Sequence, residues 1–98
     1  MSERVRNAQL TIGTTSSIVA PEVMGNQRRV LVLNNTSTGG QVITVSWEQE
    51  AVAGKGIVLY PGGSWSEAVD SGYIPSPKQV YAVSSAAGGL LSIHERVL

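Results

Sequence analysis

No stretch of this chain keeps apolar residues at helical spacing over ten or more positions. Val, Thr, Ser and Gly dominate instead, Phe is absent, and the Lys, Glu and Leu that fill helix surfaces are few. Apolar and β-branched residues gather into short runs, each ended within a few positions by Gly, Pro, Asn or Ser. Closely punctuated runs of this kind read as an all-β sandwich or barrel. Runs at residues 9–13, 17–20, 28–34, 41–47, 56–60, 64–69, 79–84 and 90–97 predict a small single-domain β-sandwich or jelly-roll barrel of eight antiparallel strands. With 98 residues there is room for one core, assigned to residues 9–98. Residues 1–8 mix charges and place no large apolar group between Val5 and Leu10, which reads as a flexible N-terminal arm. Such an arm, with Arg4 and Arg6 as contact residues, suits an extended path over an adjacent copy.

The turn residues set expectations for connectivity. Asn34 to Gly40 are residues that bond their own main chain or tolerate left-handed backbone, so a hairpin is expected between the third and fourth runs. Ala86-Ala87-Gly88-Gly89 offers a second hairpin between the last two. Pro61-Gly62 supplies the fixed φ and the positive φ of a type II turn, reversing the chain so that Ile57, Leu59 and Trp65 reach one core. Residues 70–78, with Pro75 and Pro77, read as an ordered loop crossing between sheets. Alternation assigns Ile43, Val45 and Trp47 to the core side of the fourth run, and either Val80 and Ala82 or Tyr81 and Val83 in the seventh. The third run, VLVL, is apolar on both faces: central beneath a second layer, or covered by a neighbouring subunit.

Charge narrows the functions open to the chain. Seven basic residues balance seven acidic ones, leaving no electrostatic footprint for nucleic acid or an anionic membrane. Charged residues make up 14% of the chain against the roughly 25% usual in soluble domains, so part of the surface is expected to meet other protein. Cysteine is absent, which excludes disulfides, thiolate nucleophiles and thiolate zinc sites. The N-terminal stretch lacks the apolar core of an export signal, and no run approaches the ~20 apolar residues that span a bilayer. Synthesis in a cytoplasm is the expectation.

Each candidate for chemistry has a plainer structural reading. His94 is the one histidine, and no motif supplies the partner that would orient it as a base. Glu48 and Glu50 share a face if the fourth strand continues, yet they read as strand-end charges that protect an edge. AGKG at 53–56 and PGGS at 61–64 lack the GxxxxGK and following helix of a phosphate loop. Arg28, Arg29 and Lys55 lack the interleaved aromatics of a nucleic-acid platform. The aromatics are Trp47, Trp65, Tyr60, Tyr73 and Tyr81; exposed, they would offer a sugar-stacking face, and buried, they are the largest core fillers available. The candidate interaction surface is therefore Arg4, Arg6, Trp47, Glu48, Trp65 and Tyr73. No enzyme activity, cofactor or metal is expected.

The order NQRRVLVLNNTS, GIVLYPGGSW, QVYAVSS and GGLLSIHE resembles small all-β proteins encoded in the virion-structure regions of bacteriophages. The matching positions include Asn26, Arg28, Arg29, Leu31, Leu33, Asn35, Gly56, Ile57, Leu59, Pro61, Gly62, Trp65, Val80, Ala82, Gly88, Gly89, Leu91 and Glu95. They span roughly residues 16–98 and are turn and core residues. The resemblance implies a virion component: a capsid decoration or cement protein, a vertex protein, or a carbohydrate- or receptor-binding module of a spike or tail fibre. Its implied partners are capsid or other virion proteins and its own copies, as trimers or pentamers. The connection over residues 47–55 is longer than is usual in such proteins, and its tip is expected to be specific to the partner.

Overall fold

A computed structural model describes residues 3–25, 27–69 and 75–98. Two four-stranded antiparallel sheets face each other. The first has the order β1 (Arg4–Ile12), β8 (Gly89–Val97), β3 (Arg28–Asn35), β6 (Ser64–Ala68). The second has the order β2 (Ser17–Ala20), β7 (Val80–Ser84), β4 (Ile43–Trp47), β5 (Ile57–Leu59). This is the strand order of a jelly roll. The expected all-β, eight-stranded architecture is present, and the strand positions follow the short runs of the sequence.

The pairing of strands departs from the expectation. β3 and β4 lie in different sheets, as do β7 and β8, so neither connection is a hairpin. Every connection crosses between the sheets except the one from β4 to β5. The Asn- and Gly-rich segments do reverse the chain, but they lead it into the opposite sheet rather than back along its predecessor. The arm is likewise corrected: from Arg4 onward it is the first half of β1, paired residue for residue with β8. Along it Arg6, Ala8, Leu10 and Ile12 take the more buried face while Val5, Asn7, Gln9 and Thr11 face outward, so the polarity reflects a solvated strand face and an arginine-bearing end rather than a loose segment.

Inward-facing Leu31, Leu33, Ile43, Val45, Val80, Ala82, Leu91 and Ile93 form the core, with Trp47 and Trp65 packed against it. Val30 and Val32 of the doubly apolar run are half-buried on the outer face of the first sheet. Val83 and Thr44 face outward on the second sheet yet are buried. The β4–β5 connection folds back over them: the Gly54 amide donates to Thr44 Oγ1 at 3.1 Å and the Ala51 amide to Ser16 Oγ at 2.9 Å. The chain re-enters β5 at Gly56, whose φ of 133° and position against the Val45 carbonyl, 2.5 Å from where a Cβ would stand, admit glycine alone.

Buried polar residues stand at both ends of β3. At one end Asn35 is fully buried: its amide donates to the carbonyls of Gln41 and Leu59 at 2.9 and 2.8 Å, and its Oδ1 accepts from the Ser37 amide. Its main chain exchanges bonds with Gly62 and Gly63. One side chain thereby ties the β3–β4 connection to the end of β5 and to the Pro61-Gly62 corner, a turn closed by the bond from the Gly63 amide to the Tyr60 carbonyl.

At the other end Arg28 has no exposed surface. Simple alternation from Leu31 would point Arg28 outward, but a β-bulge between Arg28 and Val30 adds one residue to β3 and turns the side chain inward. Its Nε donates to Glu95 Oε2 at 3.0 Å, Nη1 to the Ser76 and Lys78 carbonyls, and Nη2 to the Pro21 carbonyl. The guanidinium thus pins the β2–β3 and β6–β7 connections to β8.

Two stability changes are expected. Asn35→Ala leaves two carbonyls and an amide without their partner and lowers stability by about 2–4 kcal/mol, read as a reduced denaturant midpoint at unchanged slope. Arg28→Met costs about 3–5 kcal/mol because it leaves buried Glu95 with Arg6 alone and removes the donors to the Ser76, Lys78 and Pro21 carbonyls. In a double-mutant cycle with Glu95→Gln the two losses overlap by about 1 kcal/mol or more, whereas strictly additive losses would show that the pair is not coupled.

Candidate functional site

The expected surface residues fall into two separate groups. Arg6 and Arg4 lie at the open edge of the first sheet, where β1 has no further strand partner among the described residues. Arg6 stands opposite Glu95 in the β1–β8 register, and its Nη2 is 3.2 Å from Glu95 Oε1 and 2.9 Å from the Val19 carbonyl. Glu95 is therefore held between two guanidiniums, one buried and one at the edge. Arg4, Val5, Arg6, Pro21, Val23, Glu95 and Val97 line a cleft of about 310 Å³ along this edge. Arg4 makes no ion pair among the described residues.

Trp47 and Trp65 form the second group. They meet edge to face, with ring centroids 6.3 Å apart and planes at 71°, and both turn toward the interior. Trp65 faces in because it sits opposite Leu33 in the β3–β6 register, so the corner after Pro61-Gly62 delivers it to the core as expected. With Ile57, Glu67 and Ser76 the two indoles line a recess of about 210 Å³ beside the short strand β5. Both rings are partly buried, packed against the core on one side and lining this recess on the other. Tyr73 lies outside the described residues.

Glu48 does not extend β4. Its φ of 70° ends the strand, so it and Glu50 do not share a strand face as expected. Its carboxylate is 3.8 Å from Lys78 Nζ, which also lies 3.9 Å from Glu22. The long connection that Glu48 begins is not a projecting hairpin tip; it is laid across the second sheet.

His94 takes a structural role on the outer face of the first sheet. Its Nδ1 is 2.6 Å from Asn7 Oδ1, and Arg96 Nε donates to its Nε2 at 3.1 Å. A ring protonated on Nδ1 satisfies both contacts. Among the described residues, no three His, Cys, Asp or Glu side chains gather where they could hold a metal ion. No helix among them is long and apolar enough to cross a membrane.

Sequence reasoning missed the cleft. Arg28 was read as a motif member and a candidate surface cation and Glu95 as a motif member, and the signal that joins them to Arg6 is positional: Arg6 and Glu95 lie on the inward side of strands that pair edge to centre. Once the first eight residues are read as a strand, alternation places Arg4 and Arg6 on the side facing Val19 and Pro21.

No protein-family model matches the chain, and no curated protein does. Among solved structures it is similar to a protein of Bacillus endospore appendages, described as a novel family of disulfide-linked pili. The two align with a TM-score of 0.64 and 18% identity over 98% of this chain and 86% of that one. At that identity the likeness is one of fold, and it covers both sheets of the jelly roll.

Proposed function

We propose that this chain is a non-enzymatic structural subunit that works in a multi-copy assembly, and that the assembly is a bacteriophage virion. In that setting it acts as a decoration, cement or vertex protein, packing on capsid protein and on its own copies. The observation that carries this reading is the edge of β1. Nine residues pair with β8 without a bulge, while the other side of the strand has no strand partner among the described residues. Free-standing domains blunt such edges with proline, lysine, bulges or short strands, because a long regular edge is a template for another chain. Here the strand carries no proline and no lysine; its charged groups are Arg4 and Arg6 at one end, and the stretch from Asn7 to Ile12 carries no charge at all, while Val5 is half exposed.

Two further features support a subunit held by neighbours. Charge is sparse over the whole chain, and the polar side chains with catalytic potential are spent on structure: Arg28 and Glu95 on loop anchoring, His94 on a surface network. A filament of repeating copies is the second reading, favoured by the fold likeness to the endospore appendage protein. The disulfide linkage in that protein's description has no counterpart in a chain without cysteine, so any filament of this chain would be held without disulfide cross-links. A glycan-binding module draws less support, because Trp47 and Trp65 are turned toward the core.

Purified full-length chain is expected to elute and scatter light as a multimer, and mass spectrometry of purified virions is expected to find it as a stoichiometric component. A monomer at every accessible concentration would overturn the assembly reading. Absence from virions together with presence in a spore- or cell-surface fraction would replace the virion by the filament.

A further inference from the structure

The zero net charge conceals a segregation around one loop. Pro21 and Val23 wall the cleft at the β1 edge, while Glu22 between them reaches instead to Lys78 on the other side. On the cleft side the Arg28–Glu95 pair cancels internally, leaving Arg4 and Arg6 as an excess of two positive charges. Arg4 is exposed and makes no ion pair among the described residues, so its guanidinium is open to an acceptor from outside. On the other side Glu22 and Glu48 share the ammonium of Lys78, and exposed Glu50 and Lys55 follow on the same connection, leaving an excess of one negative charge.

Glu48 adds an independent sign that these carboxylates are used. A non-glycine residue with φ near 70° is held at a cost of order 1–3 kcal/mol, and such residues collect at functional positions. Glycine or asparagine would end β4 with less strain, whereas Glu48 places a carboxylate within reach of the Lys78 ammonium that Glu22 also approaches.

From this complementarity we propose that the acidic ridge of Glu22, Glu48 and Glu50 on one copy docks against the Arg4–Arg6 cleft of a second copy. The contact is head-to-tail: two different surfaces meet, and each copy keeps one of each free for the next neighbour. Such a heterologous contact closes into a ring if its rotation divides a full turn and otherwise grows into a filament. Val5, Pro21 and Val23 around the arginines lower the local dielectric and strengthen the attraction on contact. Carboxylates from the neighbour would pair with Arg4, whose guanidinium stands at the open edge of the cleft. The inference rests on the assembly reading above and names the surface that does the assembling.

The test uses the full chain and two charge reversals at exposed positions, Arg4→Glu and Glu50→Arg, with circular dichroism to verify that both variants fold. By sedimentation velocity at low salt, each variant alone is expected to self-associate about tenfold or more weakly than the wild type. A one-to-one mixture of the two is expected to regain association, since the reversed cleft of one variant matches the reversed ridge of the other. Wild-type association is expected to weaken as salt is raised. Variants that associate as the wild type does, or a mixture that stays dissociated, would overturn this contact while leaving the assembly reading in place. A wild-type chain that never associates would overturn both.

Discussion

Arg28 is an arginine with no exposed atom in a chain too small to bury charge without consequence. Taking a guanidinium and a carboxylate out of water costs several kcal/mol per ion, and their attraction returns this only if the remaining polar atoms are also satisfied. Here they are: three of the guanidinium's bonds go to main-chain carbonyls from three places, and the fourth goes to Glu95. An apolar pair of equal volume would hold the sheets together as well, but it would not choose among loop conformations. The clamp fixes where the β2–β3 and β6–β7 connections sit, and hence where Pro21, Val23 and Lys78 stand. The cleft and the acidic ridge both depend on that placement, because the loop that separates them is anchored by the Pro21 carbonyl.

Asn35 performs the matching service at the opposite end of β3. A jelly roll whose connections nearly all cross between layers leaves many main-chain groups at its ends without a ladder partner. One buried amide side chain takes up two such carbonyls and one amide, so the corners at Gln41, Leu59 and Ser37 close around a single residue. β3 is thus the spine of the fold in a specific sense. Leu31 and Leu33 supply apolar burial at its centre, and its two polar ends determine how the rest of the chain turns.

The sequence showed where strands lie because alternation and turn residues are local signals. Ser17–Ala20 was readable to the residue, and most other strands to within one or two. What alternation could not show is the partner of each strand. Asn34 to Gly40 reverses the chain equally well into the same sheet or the opposite one, and the choice depends on burial summed over strands far apart in sequence. The inward turn of Arg28 was hidden for a related reason: a bulge breaks the period-two rule by one residue, and nothing in RRVLVL marks it. The polar character of Arg4 to Asn7 suggested an arm because a solvated strand face and an unpaired segment have similar composition. Trp65 was placed correctly since a Pro-Gly turn of known geometry leads straight into it.

These errors bear on function in one direction. An arm lying over a neighbour and a strand whose edge is open both imply contact with another chain, but they place it differently. A mobile arm pays ordering entropy when it binds, of the order of 1–2 kcal/mol per residue. β1 is already ordered by its pairing with β8, so its edge and the arginines along it are preorganised, and binding there loses little of the interaction energy to ordering. The ridge that complements it is equally fixed, with Glu48 held at positive φ and its connection pinned through Ala51 and Gly54. A weakly charged subunit with two rigid, opposite patches can therefore associate through few contacts, each of modest strength. Repetition across many copies supplies the rest.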